Sequence, residues 1–222
     1  MTKLPREFYI RDTVTVAKEL LGKSLTRATK EGITTGIIVE TEAYKGKDDP
    51  ASHFYSNKIT DKTKIGYEQG GLAYVYSIYG VYYCLGIVTE KKFEPGAVLV
   101  RAVEPKAGIQ LMAERRGFPP MEPNLEKKVC SGPSKLCQAF AIDKSLYGEN
   151  LTGDSLWVSE GKLEPTDSEI ASSIRVGIDY TKKGSEYKWR FFMKDNPFIS
   201  VSKVTEKPAR KEERSIFHQS QD

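Results

Sequence analysis

The chain has few of the residues that hold metals or build disulfides. It contains three cysteines, Cys84, Cys130 and Cys137, and two histidines, His53 and His218. An odd cysteine count without short paired spacings argues against a disulfide framework and fits a reducing compartment, cytoplasmic or nuclear. Neither Cys-x-x-Cys nor His-Glu-x-x-His occurs, so no metal site is expected. No apolar run is long enough to span a membrane and no segment has the layout of a secretory leader, so no membrane partner is expected. There is no internal repeat, and no large excess of one charge. The net charge of +4 permits an anionic partner such as nucleic acid without demanding one.

What the chain does have is enough apolar and aromatic material for a core, at 39% and 10% of its residues. Its 222 residues suit one sizeable domain. Residues 12–22 read as a short helix, capped by Asp12 and closed by Gly22, with Val16, Ala17, Leu20 and Leu21 buried. Strands follow at 24–28 and 33–44. Strict alternation in the second puts Ile37, Val39 and Thr41 on one face and Ile38, Glu40, Glu42 and Tyr44 on the other.

A long polar connection over 45–71 leads to strands at 72–78 and 81–89, reversing at Tyr79-Gly80. A strand beginning at Gly96 is expected to end at Pro105, with a helix over 107–116 behind it. Pro133 opens another helix. Further strands are expected at 156–158, 175–178 and 190–193, with a last extended stretch at 199–201. Strands crowd the first half and helices interrupt them irregularly. That predicts an α+β fold in a single domain, a curved and mainly antiparallel sheet flanked by short helices. Residues 1–202 would form that domain and the polar stretch 203–222 a flexible tail.

Each candidate for chemistry also has an ordinary reading. A glutamate at a strand end usually faces water, strand tyrosines usually pack in cores, and a lone loop histidine is usually a surface residue. Glu40 and Glu42 on one face beside Tyr44 could instead do acid–base work on a glycosidic bond, sugar–sugar or sugar–base. Arg101 in mid-strand would need a carboxylate or phosphate if buried. Tyr79 precedes Gly at a hairpin apex and so points away from the core, where an aromatic ring can wedge into a duplex. Ser134 and Lys135 begin a helix, where anions can bind. A glycosidase acting on sugars, a glycosylase acting on bases and a non-catalytic binder of bent or damaged DNA all remain open on these residues alone.

Several ordered motifs narrow the choice. Val39-Glu-Thr-Glu-Ala-Tyr44, Ala51-Ser-His53, Tyr74-Val-Tyr-Ser-Ile-Tyr-Gly80, Val98-Leu-Val-Arg-Ala-Val-Glu-Pro105 and Cys130-Ser-Gly-Pro-Ser-Lys-Leu-Cys-Gln-Ala139 are similar to the alkyladenine (3-methyladenine) DNA glycosylase family. Arg175-Val-Gly177 and Arg190-Phe191 with Pro197 continue the resemblance to about Val201. The resemblance implies a monomeric enzyme of base-excision repair, without cofactor, whose partner is double-stranded DNA containing a damaged purine. Alkylated or deaminated purines (3-methyladenine, 7-methylguanine, hypoxanthine) would be flipped out and released without cutting the backbone.

It further implies that Glu42 activates a water, helped by Arg101 and the main-chain carbonyl of Val176. Tyr44 and His53 would form one wall of the base pocket and Tyr76 the other. Tyr79 would fill the gap in the duplex, with Val81 beside it, and Ser134 and Lys135 are candidates for DNA contact. Two positions depart from the family pattern. Its Thr-Pro-Arg-Asn is Thr60-Asp61-Lys62-Thr63 here, which bears on how the long loop is braced. Gly86 stands where a vertebrate relative has Asn, which bears on whether 2-amino purines fit.

Overall fold

One strand carries the sheet. Gly32–Lys45 (β2) is rich in β-branched residues and is the longest strand of the protein. Along one edge it pairs first with β1 (Ser24–Thr29) and then, from Glu40 to Glu42, with β8 (Arg190–Met193). Along the other edge it pairs with β5 (Gly96–Ala107). Beyond β5 lie β4 (Tyr82–Val88) and β3 (Ala73–Ile78); beyond β1 lies β6 (Leu156–Ser159), and β7 (Ile170–Ser173) pairs with β8. All these pairings are antiparallel, giving an eight-stranded sheet with short helices around it, an α+β fold. The computed structural model describes residues 2–119, 121–178 and 184–201, so the expected boundary at 202 and the tail 203–222 lie outside the described residues.

Among the described residues five short α-helices pack about this sheet: α1 (Arg6–Tyr9), α2 (Thr13–Glu19), α3 (Ile109–Arg115), α4 (Leu125–Val129) and α5 (Pro133–Ala139). The start of α2 is held by Asp12, whose Oδ1 accepts from the amides of Val14 and Thr15, each at 3.0 Å. Val16, Ala17, Leu20 and Leu21 of this segment are buried as the pattern predicts, in one core cluster with Leu25, Ile38, Leu85, Leu136 and Phe140. Burying side chains of this size contributes about 1.5–3 kcal/mol each, and this face anchors the sheet. Pro133 occupies the first turn of α5, where its missing N–H costs nothing. No helix among the described residues is long and apolar enough to cross a membrane.

Four expectations about the chain path are corrected. Pro105 does not end its strand: β5 continues to Ala107, with Pro105 opposite Gly36 where the ladder is already shifted. A residue without N–H is tolerated at such a slip, and Gly36 allows the close approach, since a Cβ there would lie 2.9 Å from the Glu104 carbonyl oxygen. In consequence α3 begins only at Ile109, behind Gly108 in a left-handed conformation. Residues 175–178 are a turn, not a strand; the strand is β7, just before them, whose polar Ile-Ala-Ser-Ser has no alternation to reveal it. Residues 199–201 are likewise outside any strand.

The 45–71 connection is ordered by its own small core. Phe54 is buried in a second apolar cluster with Tyr74, Val88 and Ala97, and Ile65 and Tyr67 pack against it. The loop is braced by Thr60 and Thr63: the Thr63 hydroxyl accepts from the Thr60 amide at 2.8 Å and donates to the Lys58 carbonyl at 2.8 Å. Tyr147 adds a hydroxyl donated to the Asp61 carbonyl at 2.9 Å. Gly66 lies directly under Phe54, so that a Cβ would sit 2.2 Å from its Cε1. The ring is enclosed and cannot give way cheaply. Gly66→Ala is expected to cost about 1–3 kcal/mol through overpacking, read as a lower midpoint in urea unfolding. An unchanged midpoint would show that this cluster is loosely packed.

Candidate active site

The two glutamates of β2 come together because the ladder slips twice. Val39 has no partner between the Ile38–Val103 and Glu40–Ala102 pairs, and Arg101 has none between Ala102 and Val100. Bulges of this kind re-aim side chains and recur beside active sites. Packing records the slip. Ile37 and Val39 join Ala102, Phe198 and Ile199, while Ile38 and Ala43 belong to the main core. Strict alternation therefore fails after Val39. Thr41 turns toward α2, where its hydroxyl donates to the Ala17 carbonyl at 2.6 Å, and does not share the face of Ile37 and Val39.

Arg101, projected from its bulge, bridges both carboxylates. Its Nε donates to Glu40 Oε1 at 3.1 Å and its Nη1 to Glu42 Oε2 at 3.2 Å. Glu40 also accepts from Arg190 Nε at 2.7 Å and from the Ser200 amide at 2.5 Å. Glu42 accepts the Val176 amide on Oε1 at 2.7 Å and the Tyr44 hydroxyl on Oε2 at 2.8 Å. All four charged side chains are buried, two anions against two cations. A cluster so deeply desolvated persists only when charges and hydrogen bonds are matched. Burial by itself favours loss of a proton from Arg101, but the carboxylates of Glu42 and Glu40 more than offset it and hold the guanidinium charged. Burial, and then the neighbouring Glu42, push the Tyr44 phenol well above its usual range.

Above this cluster opens a cavity of about 500 Å³, large enough for a nucleobase. Tyr44, His53, Tyr74, Tyr76, Cys84 and Gly86 are among its walls, and Arg101 and Val176 reach it from below. Glu42 lies one layer deeper, behind the three groups that donate to it. His53 sits edge-on to Tyr76, with ring centroids 4.9 Å apart, and its Nδ1 meets the Tyr74 hydroxyl at 2.8 Å. Desolvation of the imidazole, and then the Lys62 ammonium, push its pKa down to about 4. Strand pairing at Gly86 is regular, with Tyr74 directly opposite. A Cβ at residue 86 would lie 3.1 Å from Tyr74 Cδ1, so the Tyr74 ring already occupies the space over this glycine.

Tyr79 and Gly80 form the turn beyond β3 at positive φ, +50° and +75°. A left-handed tyrosine is strained by about 1–2 kcal/mol, and the backbone here holds its ring outward. Tyr79 is 91% exposed and Val81 71% exposed. Tyr79 also borders the cavity, so the apolar hairpin tip stands at the cavity's rim. Pro133, at the start of α5, borders the cavity as well. Lys135 is exposed and makes no ion pair among the described residues, while Ser134 lies against Cys84. Glu42, Arg101, Tyr44 and Val176 thus form one bonded set, and His53, Tyr76 and Gly86 surround the space above it. The contact made by Val176 to Glu42 is through its N–H.

Residues 7–197 match the sequence pattern of the family described as methylpurine-DNA glycosylase. A protein of Alkaliphilus oremlandii, provisionally named 3-methyladenine DNA glycosylase, is 46% identical over 201 residues, covering 89% of this chain and 98% of its own length. Proteins with the same provisional name from Desulfitobacterium hafniense and Clostridium acetobutylicum are 43% and 46% identical, each covering 90% of this chain and 100% and 98% of their own lengths.

Two supporting residues escaped the sequence reading. Arg190 was legible as part of a strand and of a family motif, without its partner Glu40. Asp49 was one acid in a polar loop, yet it grips Arg175 through both oxygens, at 2.5 and 2.8 Å, with neither side chain exposed. The Arg175 guanidinium lies 4.7 Å from the centroid of the Tyr44 ring and 5.2 Å from that of Trp189, so this pair backs one wall of the cavity. Asp49 in its polar loop and the Arg175-Val-Gly177 motif were the available signals, 126 residues apart. Asp49→Asn is expected to lower stability by about 3–5 kcal/mol, because it leaves a buried guanidinium without its counter-charge. Urea unfolding checks this, and an unchanged midpoint would show that the Asp49 carboxylate is dispensable.

Proposed function

The chain belongs to the methylpurine-DNA glycosylase family, and from that premise we propose that it removes damaged purines from duplex DNA by way of Glu42. Its reaction class is that of a DNA-3-methyladenine glycosylase, a hydrolase of N-glycosyl bonds acting in base-excision repair. The single observation that carries the mechanism is a buried glutamate bonded to three groups that line or underlie an aromatic-walled cavity of nucleobase size.

The lesion nucleotide is flipped from the duplex, which costs a few kcal/mol and least for a damaged pair. Its base stacks among Tyr44, His53 and Tyr76, and stacking on such rings returns about 1–3 kcal/mol. Tyr79 fills the gap left in the duplex, with Val81 alongside, and Ser134 and Lys135 meet the phosphate backbone. A carboxylate has about four lone-pair sites, and three on Glu42 are taken. The site left, on Oε1, takes a water between Arg101 and Val176. That water attacks the deoxyribose C1′ and its proton passes to Glu42. The glycosidic electron pair leaves with the purine, and an abasic sugar remains in an uncut strand. A cationic base such as 3-methyladenine leaves as a neutral molecule. A neutral one such as hypoxanthine must gain a proton to leave equally well. Water is the only co-reactant this step needs, and one cavity on a monomer handles one nucleotide.

A non-catalytic binder of bent DNA would use the same exposed tyrosine. It would have no use for a desolvated carboxylate beneath a base-sized cavity, and burying one is costly unless it serves. Glu42→Gln keeps the shape and removes the proton acceptor. It is expected to slow single-turnover release of hypoxanthine by about 10²–10⁴-fold while abasic-site DNA is still bound. Glu40→Gln should lose stability first, and a folded Glu40→Gln protein should retain most of the rate. Equal loss of rate at both positions would show that Glu42 is not the base, and full activity in Glu42→Gln would favour the binder.

Selectivity is expected to depend on Gly86. With no side chain there, the exocyclic amino group of a 2-amino purine meets no obstruction from this residue. Gly86→Asn should depress excision of 7-methylguanine relative to hypoxanthine, with some loss of stability as Tyr74 is displaced. An unchanged ratio in the folded variant would mean that Tyr74, not residue 86, bounds this side of the pocket.

A further inference from the structure

Lys62 belongs to the 45–71 connection and is absent from the cavity lining, yet it touches two residues that line it. Its Nζ lies 3.3 Å from His53 Nε2 and 5.0 Å from the centroid of the Tyr76 ring. It makes no ion pair among the described residues. An ammonium has three N–H donors and no acceptor, so the Nε2 facing it must be the acceptor of a neutral imidazole. The proton of that imidazole is then on Nδ1, which donates to the Tyr74 hydroxyl at 2.8 Å. The chain of contacts thus decides the tautomer, which imidazole alone leaves open.

We propose that Lys62 is a positioning residue that fixes His53 in its Nδ1–H form, caps Nε2 and so keeps this ring of the base pocket uncharged. The proposal rests on the reading of the cavity as the base pocket. The groups that face the imidazole are Lys62 from the loop and Tyr74 and Tyr76 from β3, with Cys84 of β4 behind Tyr76. None is a carboxylate, so none of these contacts would stabilise an imidazolium. Burial and the Lys62 charge both act against protonation. Lys62 therefore keeps the imidazole neutral with Nε2 occupied, so that this ring meets a base as an aromatic surface and not as a second cation beside the ammonium. Because it stands outside the cavity it does so without touching the base.

The test uses the full chain, with Lys62→Met removing the charge and Lys62→Arg restoring it. Long-range proton–nitrogen NMR reports the tautomer and titration of His53, with His218→Gln supplying the assignment. The unsubstituted protein should show a single Nδ1–H tautomer that stays neutral to about pH 4. In Lys62→Met the second tautomer should appear and the midpoint should rise by about half a unit or more, toward the ordinary histidine value; Lys62→Arg should behave as the unsubstituted protein. Single-turnover excision of 7-methylguanine and of hypoxanthine is measured on the unsubstituted protein alongside. An unaltered tautomer and midpoint in Lys62→Met overturns the proposal. Failure of the unsubstituted protein to excise either lesion would instead count against the glycosylase mechanism, and the NMR arm would still decide the role of Lys62.

Discussion

The site depends on a single guanidinium divided between two carboxylates. Arg101 spends Nε on Glu40, Nη1 on Glu42 and Nη2 on the Ser200 hydroxyl, and so closes a two-pronged clamp on neither carboxylate. Such a clamp would occupy both oxygens of Glu42. Arg190 supplies the second cation and fastens Glu40 to β8, with the Ser200 amide as its third donor. Glu40 is thereby the structural anion, and Glu42 the one bonded to the cavity-lining Tyr44 and Val176. The double bulge in β2 and β5 makes this division possible, since a regular ladder would not present both glutamates to one arginine. Every member must be present, because a buried ion left without its partner costs several kcal/mol.

The aromatic walls above have a cation behind each. Arg175 lies 4.7 Å from the centroid of Tyr44 and Lys62 5.0 Å from that of Tyr76, and neither lines the cavity. A cation on one face of a ring draws on the same π density that a cationic base would use on the other. The walls are held stiffly in place by these contacts, and their attraction for a positively charged base is tempered.

Much of this was legible in the chain itself, for reasons that can be named. A tyrosine before glycine between two strands marks an apex, and Tyr79 is there with its ring exposed. A mid-strand arginine without an obvious solvent face asks for a carboxylate, and Arg101 has two. Asp12 before an apolar stripe marks a helix start, and α2 begins at Thr13. What failed were inferences that assumed regularity. Counting by twos along β2 cannot detect a residue that drops out of the ladder, so the facing of Thr41 was misjudged. Pro105 was read as a terminator because a proline disrupts regular pairing, and here the pairing was already irregular. The partnerships of Asp49 with Arg175 and of Glu40 with Arg190 join residues 126 and 150 positions apart, and no local pattern carries that information.

Those long separations also set an order of events. Glu42 is synthesised early, but its amide donor is at Val176, and the strand that pairs beside it contains Arg190. Contacts between such distant residues form late, because a long loop must close before they can reward the chain. A ribosome-bound chain that stops short of β8 has its aromatic residues and its glutamates, with Arg101 as the only guanidinium of the pair in place. The buried cluster is therefore incomplete by topology until β8 docks, and Glu42 waits on a donor made 134 positions after it.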